Sequence, residues 1–434
     1  MKIVMKFGGT SVGDGKKIRH VAHLLKKYNE EGNQIVVVTS ALGGVTDRLL
    51  ENARLASTKG KVSLVKEFKT ELTNKHHEAV RDAIEDPNVA KDVLHILDLR
   101  IDELEKALIG ICYLGELTNR SIDYISSYGE RLAAPIISGA VRSLGIPSIE
   151  YTGGEAGILT TSDYGNARPL EKTYELVSKR LGCRLDSHIL VVTGFIGENE
   201  DGIITTLGRS GSDFSASILG AALKADEIWL WKEVNGIMTT DPRIVPEAKT
   251  IPQISYAEAM ELSYFGANVL HPRTIEPAMR EHIPVRVKNT FDPEFPGTLV
   301  VSEKFQCKHV VKAVSLIKNV ALINISGAEM AGTIGTVARL FTALARAGVN
   351  IVMISQGSSE SNLSFVVSEA HVEPALKALH AEFNREIIKE ITSDKNVCVV
   401  AVVGAGIAGT PGVAKRVYGA LRNTKINNIM INHG

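Results

Sequence analysis

Apolar residues in the first 50 positions fall into short blocks separated by a helical stripe. Ile3 to Phe7 is an apolar run that Gly8-Gly9-Thr10-Ser11 breaks. Ile18, Val21, Ala22, Leu24 and Leu25 then recur at helical spacing, and Gln34 to Thr39 form a second apolar run. Two strands joined by a helical crossover predict a parallel sheet. From about Asn52 to Ser126 the chain turns charged. Within it, "DLRIDELEKALIGI" (98–111) is an amphipathic helix whose charges form a solvated face. The strand pattern returns at "HILVVTGFIG" (188–197), after which Asp201-Gly202 offers a hairpin turn between two short strand-like runs. "TTLGRSGSDFSASILGAAL" (205–223) is a polar glycine loop opening a helix, and "DEIWLW" (226–231) is another strand. "NTFDPEFPGTLV" (289–300) reads as the close of a first domain, residues 1–300.

Near the C-terminus, "VVAVVGAGIAGTPGVAKRVYGAL" (399–421) has a valine-rich run, Gly404-x-Gly406-x-x-Gly409 and a helix-like continuation. That is the form of a dinucleotide-binding loop. An internal repeat argues against it. Residues 326–357 and 403–434 align without a gap, placing Gly327 on Gly404, Gly332 on Gly409, Gly335 on Gly412 and Asn350 on Asn427. The first copy carries Glu329 where the second has Gly406, and too few residues follow Gly409 for a whole nucleotide-binding unit. The glycines therefore read as a repeated strand-to-helix turn. Residues 305–394 and 395–434 are expected to be two related α+β units. The first runs strand 319–325, helix 333–346, strand 350–355, strand 363–367, helix 372–384. The second has no counterpart of "SSESNLSFVV" (358–367), so either the natural chain is longer or a neighbouring chain supplies the sheet edge.

Composition narrows the partners. Lys+Arg and Asp+Glu are 49 each, so no bulk field draws the chain to nucleic acid or to an anionic membrane. Cys112, Cys183, Cys307 and Cys398 lie far apart with no CxxC pair, which suits a reduced cytosol and neither a disulfide framework nor a zinc site. The apolar start is too short for a signal-peptide core, and Val397 to Gly409 is too short to span a bilayer. A soluble, cytoplasmic protein is expected.

Two loops favour anions. "KFGGTS" (6–11) sets Lys6 at a strand end before a double glycine and two hydroxyls at an expected helix start. Backbone N–H groups and the helix dipole there add to the lysine charge; a plain strand–turn–helix with a solvent lysine is the alternative. "TTLGRSGSD" (205–213) offers Gly208 and Gly211 for an open backbone, Arg209 for a bidentate grip on a carboxylate, and Ser212 as a hydroxyl donor. Asp213 would otherwise be an N-cap. In "SSYGERLAAP" (126–135), Glu130 and Arg131 would otherwise be a surface ion pair, and "GEAG" (154–157) and "TTDPR" (239–243) are further turns. Together these suggest a phosphate donor and a small charged acceptor.

"MKFGGTSV", "SYGERL", "TTLGRSGSD", "TTDPR", "LSYFGANVLHPRT" and "MISQGSSESNLSFVV", in that order, resemble the aspartate kinase family over essentially the whole chain. The resemblance implies an α/β fold, a three-layer amino acid kinase domain with a mainly parallel sheet, followed by paired α+β ACT regulatory units. It implies transfer of the ATP γ-phosphate, with Mg²⁺, to the β-carboxylate of L-aspartate, opening lysine, threonine and methionine synthesis. By motif position, Lys6 and Asp213 would be catalytic, and Ser40, Thr46, Glu130, Arg209 and Ser212 would hold aspartate. Gly8, Gly9, Ser11, Gly211, Lys232, Glu233, Met238, Arg243 and Asn268 would hold the nucleotide. Gly332, Thr333, Asn350, Ile351 and Gln356 would bind an amino-acid effector, threonine or lysine, in a homodimer or higher homo-oligomer formed through the ACT units. His433 replaces Gln356 in the second copy, so one competent effector site per chain is expected. The chain departs from the family on the nucleotide side, where glycine is usual at Ser210, Thr-Asp at Lys232-Glu233, tyrosine at Met238 and lysine at Asn268. The rival readings are another amino acid kinase, of the glutamate or acetylglutamate type, and a non-catalytic sensor with a degenerate nucleotide site.

Overall fold

The structure is a computed structural model that describes residues 1–266, 270–302, 310–327, 330, 332–357, 361–383, 388–407, 409–422, 424 and 426–432. The chain divides into two compact units, residues 1–263 with 268–306, and residues 264–267 with 307–434.

The first unit is built on an eight-stranded sheet. In spatial order its strands are Ser148–Tyr151, Ile189–Thr193, Gln34–Thr39, Lys2–Phe7, Glu227–Lys232, Val285–Asn289, Thr298–Val301 and Gln253–Ser255. Neighbours are parallel except Val285–Asn289 with Thr298–Val301. A sheet covered on both faces needs no alternation of apolar and polar residues, and Ile3, Val4, Met5 and Phe7 are all buried. Ile3, Met5 and Phe7 share one core with Trp229, Trp231 and the apolar stripes of helices Gly15–Glu30, Val62–Ala83, Pro87–Leu114 and Asn119–Ser143. Strand neighbours point to opposite faces, and Ile228 meets helix Gly211–Leu223 on the other side. A Cβ on Gly220 there would stand 2.5 Å from Ile228 Cδ1. Three layers result.

The apolar run 188–197 is two strands and not one. It leaves the main sheet at Thr193, turns at Gly194 and Phe195, and continues as Ile196–Glu198, paired antiparallel with Ile204–Thr206. The break follows from packing: a Cβ on Gly194 would lie 2.6 Å from Ser212 Cβ, and Phe195 adopts φ 68°. The expected hairpin is present, with Gly202 at φ 73°.

The second unit holds a four-stranded antiparallel sheet in the order Ile351–Gln356, Asn362–Ser368, Ala313–Ser326, Glu390–Val403. Ile323, Phe365, Leu340, Leu344 and Leu379 form its core with helices Thr336–Arg346 and Val372–Glu382. The two long strands pair twice. Residues 320–326 face 390–397, and residues 313–317 face 399–403, with irregular register between. The strand that opens the second repeat copy thus pairs with the segment ahead of the first. Gly404 has no space for a side chain, since a Cβ would stand 2.0 Å from Val310 O. The glycine of the apparent dinucleotide motif packs on the chain's own backbone.

Helix Thr336–Arg346 begins three residues later than the pattern suggested. Its N-cap is Gly335 at φ 89°, and the matching Gly412 caps helix Val413–Leu421 at φ 87°. Residues 428–432, aligned with residues 351–355, form no strand. In the first copy that strand's sheet neighbour is Asn362–Ser368. The second copy holds no counterpart of it among these 434 residues, and an unpaired strand leaves its backbone polar groups without a ladder.

Candidate active site

Several strands of the first unit deliver residues to one place. Lys6 lies near the carboxyl end of Lys2–Phe7, Ser40 follows Gln34–Thr39, Gly194 follows Ile189–Thr193, and Lys232 closes Glu227–Lys232. The carboxyl ends of an open parallel sheet are where its connections leave room for a ligand. There a cleft of ≈ 310 Å³ is lined by Lys6, Ser40, Thr46 and Glu130, together with Phe195, Gly208 and Ser210 to Asp213.

Charge organises this cleft. Lys6 Nζ stands 2.7 Å from Asp213 Oδ1, and Lys232 Nζ stands 3.6 Å from Oδ2. Burial pushes the Asp213 carboxyl up, but Lys6 and Lys232 outweigh it and hold it below the usual carboxylate range. Burial lowers the Lys232 ammonium against the attraction of Asp213, and the like charge of Lys6 lowers it further. Asp213 is the third residue of helix Gly211–Leu223, so it is not the N-cap. Ser210 occupies that position at φ 56° and makes no side-chain cap bond, so no capping side chain covers the amides of the first turn. A helix start of this kind suits an anion.

Glu130 enters from helix Asn119–Ser143 and is only 4% exposed. Its Oε1 accepts the Ala41 N–H at 3.3 Å, while Oε2 has no partner among the described residues. Burial pushes the carboxyl up to about 8. Gly129 makes this approach possible, because a Cβ there would lie 2.8 Å from Ala41 Cβ and 3.3 Å from Thr46 Oγ1. Ser40 Oγ donates to Ser212 Oγ at 3.1 Å.

The "KFGGTS" turn differs from expectation. The helix after it starts at Gly15, with Asp14 as N-cap accepting from Lys17 N–H. The cap carboxylate already serves that terminus, so an anion near Gly8 and Gly9 would meet Lys6 and loop amides and not a helix end. Ser11 is fully buried and its hydroxyl lies 2.7 Å from Thr290 Oγ1, while Thr10 Oγ1 donates to Glu233 Oε2 at 2.9 Å. Arg209 is exposed in the loop and has no bonded partner among the described residues. Met238 is half-buried with a bridge to Thr250, and Asp241 engages Arg243 through bonds of 3.0 and 2.8 Å. Neither lines the cleft. Asn268 and His433 lie outside the described residues.

Of the effector candidates, Gly332 adopts φ 72° and the Thr333 N–H donates to Met330 O at 3.3 Å. With the helix starting at Thr336, these two belong to the preceding loop and not to its first turn. Exposed Asn350 precedes strand Ile351–Gln356, half-buried Ile351 opens it, and exposed Gln356 closes it. Phe195, Thr290 and Asp123 escaped the sequence reading. For Asp123 a signal existed: it lies two helical turns before Glu130 in "SIDYISSYGERL".

A cleft at strand ends that sets a lysine–aspartate pair beside a helix start and a buried carboxyl is the kind of site a small-molecule phosphotransferase needs, and the comparisons define the class. The amino acid kinase family model matches residues 1–289, and an ACT domain model matches residues 323–383 and 400–434. Aspartokinase 1, chloroplastic, of Arabidopsis thaliana is 33% identical over 99% of this chain and 75% of its own. The bifunctional aspartokinase/homoserine dehydrogenase, chloroplastic, of Daucus carota is 34% identical over 98% of this chain and 47% of its own, so the chain spans about half the length of such bifunctional relatives. E. coli aspartokinase III, solved in complex with aspartate and ADP, aligns at TM-score 0.78 and 27% identity over 100% of this chain and 94% of that one. Clostridium acetobutylicum aspartate kinase aligns at TM-score 0.82 and 25% identity over 100% of this chain and 94% of that one. The chain belongs to the aspartokinase family. Among the described residues no helix is long and apolar enough to cross a membrane, and no three His, Cys, Asp or Glu side chains gather as a metal site.

Proposed function

We propose that the chain is an aspartate kinase that transfers the ATP γ-phosphoryl group to the β-carboxylate of L-aspartate, giving 4-phospho-L-aspartate and ADP. This is the step that opens lysine, threonine and methionine synthesis. The observation that carries the reading is the cleft itself, where buried Glu130 with its unpartnered oxygen lines the same space as the Lys6–Asp213 pair, to which Lys232 is bound through Asp213. The bound aspartate and ADP of the E. coli relative support the same substrates.

A carboxylate nucleophile is ionised at neutral pH and needs no general base. The barrier is the repulsion between two anions, so catalysis is positioning and neutralisation. In this reading Glu130 takes the α-ammonium of aspartate and Arg209 its α-carboxylate, with Ser40, Thr46 and Ser212 completing the pocket. Lys6 and the Gly8, Gly9 and Gly211 amides receive the phosphates, and Asp213 orients Lys6. Lys232 adds charge on the nucleotide side. Ser11 and Glu233 hold the loop, and the family resemblance assigns Met238, Arg243 and Asn268 to nucleotide binding. Asp213 already serves two lysines, and the described residues form no metal cage. A Mg²⁺ that arrives on the nucleotide fits this donor set, with Asp213 the carboxylate able to hold it; when bound it supplies neutralisation of the phosphates. The same reading includes a cytoplasmic location, an amino-acid effector site (threonine or lysine) in the second unit, and a homo-oligomer formed through the ACT units.

The test is aspartate-dependent ADP release with Mg²⁺, coupled to hydroxylamine trapping of the acyl phosphate. Turnover with L-aspartate and not L-glutamate or N-acetylglutamate is expected. Absence of ATP binding at millimolar concentration would favour a sensor that has lost its chemistry.

A further inference from the structure

Asp123 is a buried carboxylate that the proposed chemistry does not use. It is 1% exposed, and both of its oxygens are engaged. Oδ2 accepts the Gly165 N–H at 3.0 Å and the Thr206 N–H at 2.8 Å, and Oδ1 accepts the Thr206 hydroxyl at 2.8 Å. Three donors thus converge on one carboxylate from two separate segments. Those segments are also tied to each other. Ala167 N–H donates to Thr206 O at 2.9 Å, and Gly208 approaches Gly165 so closely that a Cβ would stand 3.0 Å from its carbonyl oxygen. Arg273 bonds Asn166 Oδ1 and, at 3.0 Å, Ala167 O, from the far side of the same loop.

Thr206 is the last residue before Leu207-Gly208-Arg209-Ser210, the loop that reaches the cleft. Arg209 in that loop has no bonded partner of its own among the described residues, so its placement depends on the backbone. We propose that Asp123 is a positioning residue for substrate recognition: it hangs the Arg209 loop from the helix that carries Glu130, so that one rigid element sets the spacing between the grips on the two ends of the amino acid. Asp123 and Glu130 are seven residues apart on helix Asn119–Ser143 and lie on one buried stripe with Ser126 and Ser127. The carboxylate suits this work because its charge strengthens all three bonds, whereas an amide of the same shape could keep the two N–H bonds on its oxygen only in weaker, neutral form and would have to reverse the Thr206 hydroxyl bond. This rests on the aspartate kinase reading of the cleft.

The experiment has an arm that needs no turnover. Trypsin should cut after Arg209 faster in Asp123→Asn than in the unaltered chain at equal global stability, measured by denaturant midpoint. Kinetically, Asp123→Asn should raise KM for aspartate roughly tenfold or more while KM for ATP moves less than about twofold, since small misplacement of a binding group is costly. On an Arg209→Ala background the same change should add little. Thr206→Val, which keeps the N–H bond and loses the hydroxyl bond, should act in the same direction more weakly. Additive effects of Asp123→Asn and Arg209→Ala, or equal rises in both KM values, would overturn the proposal. Unchanged tryptic cleavage at Arg209 would do the same. An unaltered chain without aspartate-dependent turnover would sink the functional reading alone and leave the proteolysis arm to decide this one.

Discussion

Glu130 shows how one residue can hold both a cost and a function. Removing a carboxyl from water disfavours its charged form, and burial raises Glu130 to about 8 against ~4.3 in an unfolded chain. The sign follows from linkage: the group's contribution to stability is complete below about 4.3 and is lost as pH rises toward about 8, because the unfolded chain ionises first. Glu130→Gln should therefore gain thermal stability over the unaltered protein as pH is raised from 5 to 8.5, and the gap in melting temperature should widen with pH. An aspartate ammonium beside Oε2 would favour the ionised form. Calorimetry in buffers of different ionisation enthalpy should then show close to one proton released per aspartate bound at neutral pH, and none in Glu130→Gln. Aspartate affinity in that variant should fall by about 1.5–3 kcal/mol, the range for hydrogen bonds to charged groups. At Ser210 the backbone explains a departure from the family. A left-handed conformation costs a non-glycine residue about 1–2 kcal/mol, whereas glycine adopts it freely but loses more entropy on folding. With Ser210 at φ 56°, Ser210→Gly should leave stability unchanged or raise it by up to about 1 kcal/mol, measured by urea unfolding. A loss of more than that would mean the Ser210 side chain has a role its missing cap bond does not suggest.

Elements explain why Lys6 and Lys232 meet over one aspartate. Parallel pairing sets Lys6 opposite Leu230 and Phe7 opposite Trp231, so Lys232 lies two residues beyond Lys6 on the neighbouring strand and, by the period of two, on the same face of the sheet. Helix Gly211–Leu223 then brings Asp213 between them. The sequence marked each member, because a strand end followed by glycines and a glycine loop before a helix are local patterns. It could not mark their contact, which depends on pairing across more than 200 positions. It also misplaced two helix starts. Gly8 to Ser11 and Gly332-Thr333 look like openings, yet Asp14 and Gly335 are the caps, and a pattern of small residues does not reveal which one the backbone will use. The parallel sheet and the strand–helix–strand–strand–helix order of the first repeat copy were legible from apolar spacing, and the hairpin from Asp201-Gly202 between two short runs. Lys6→Ala tests the cluster as a unit. Removing a charge aimed at the moving phosphoryl group should lower kcat on the order of a hundredfold or more, with KM for aspartate changing far less. If KM for aspartate moved instead, Lys6 would belong to the acceptor pocket and the assignment of the two halves of the cleft would be reversed.

At the scale of the whole molecule, one chain carries a folded cleft and a repeat that uses its glycines for turns. The second repeat copy contributes strand and helix but forms no counterpart of the sheet's outer strands among the described residues. Helix Val413–Leu421 has no buried residue, whereas its counterpart Thr336–Arg346 buries Leu340, Ala343 and Leu344. Among the described residues, that helix therefore leaves its apolar face uncovered. The first copy pairs its strands and places Asn350 just before one strand whose ends are Ile351 and Gln356, so the effector is expected there. If threonine or lysine binds at that strand, it acts on turnover only by the difference in its affinity for the active and inactive forms. Gln356→Ala should then shift the half-inhibitory concentration upward by roughly 5- to 150-fold, the span of ordinary site-to-site coupling. Uninhibited kcat and both KM values should stay close to those of the unaltered chain, because Gln356 lies in the second unit and the cleft belongs to the first. The measurement is a set of inhibition curves at fixed aspartate with each amino acid in turn. Should Gln356→Ala leave both curves in place while Asn350→Ala moves one, the pocket is real and Gln356 is outside it. Should neither move and neither amino acid change turnover or melting temperature, the repeat is a packing device and the chain is an unregulated kinase.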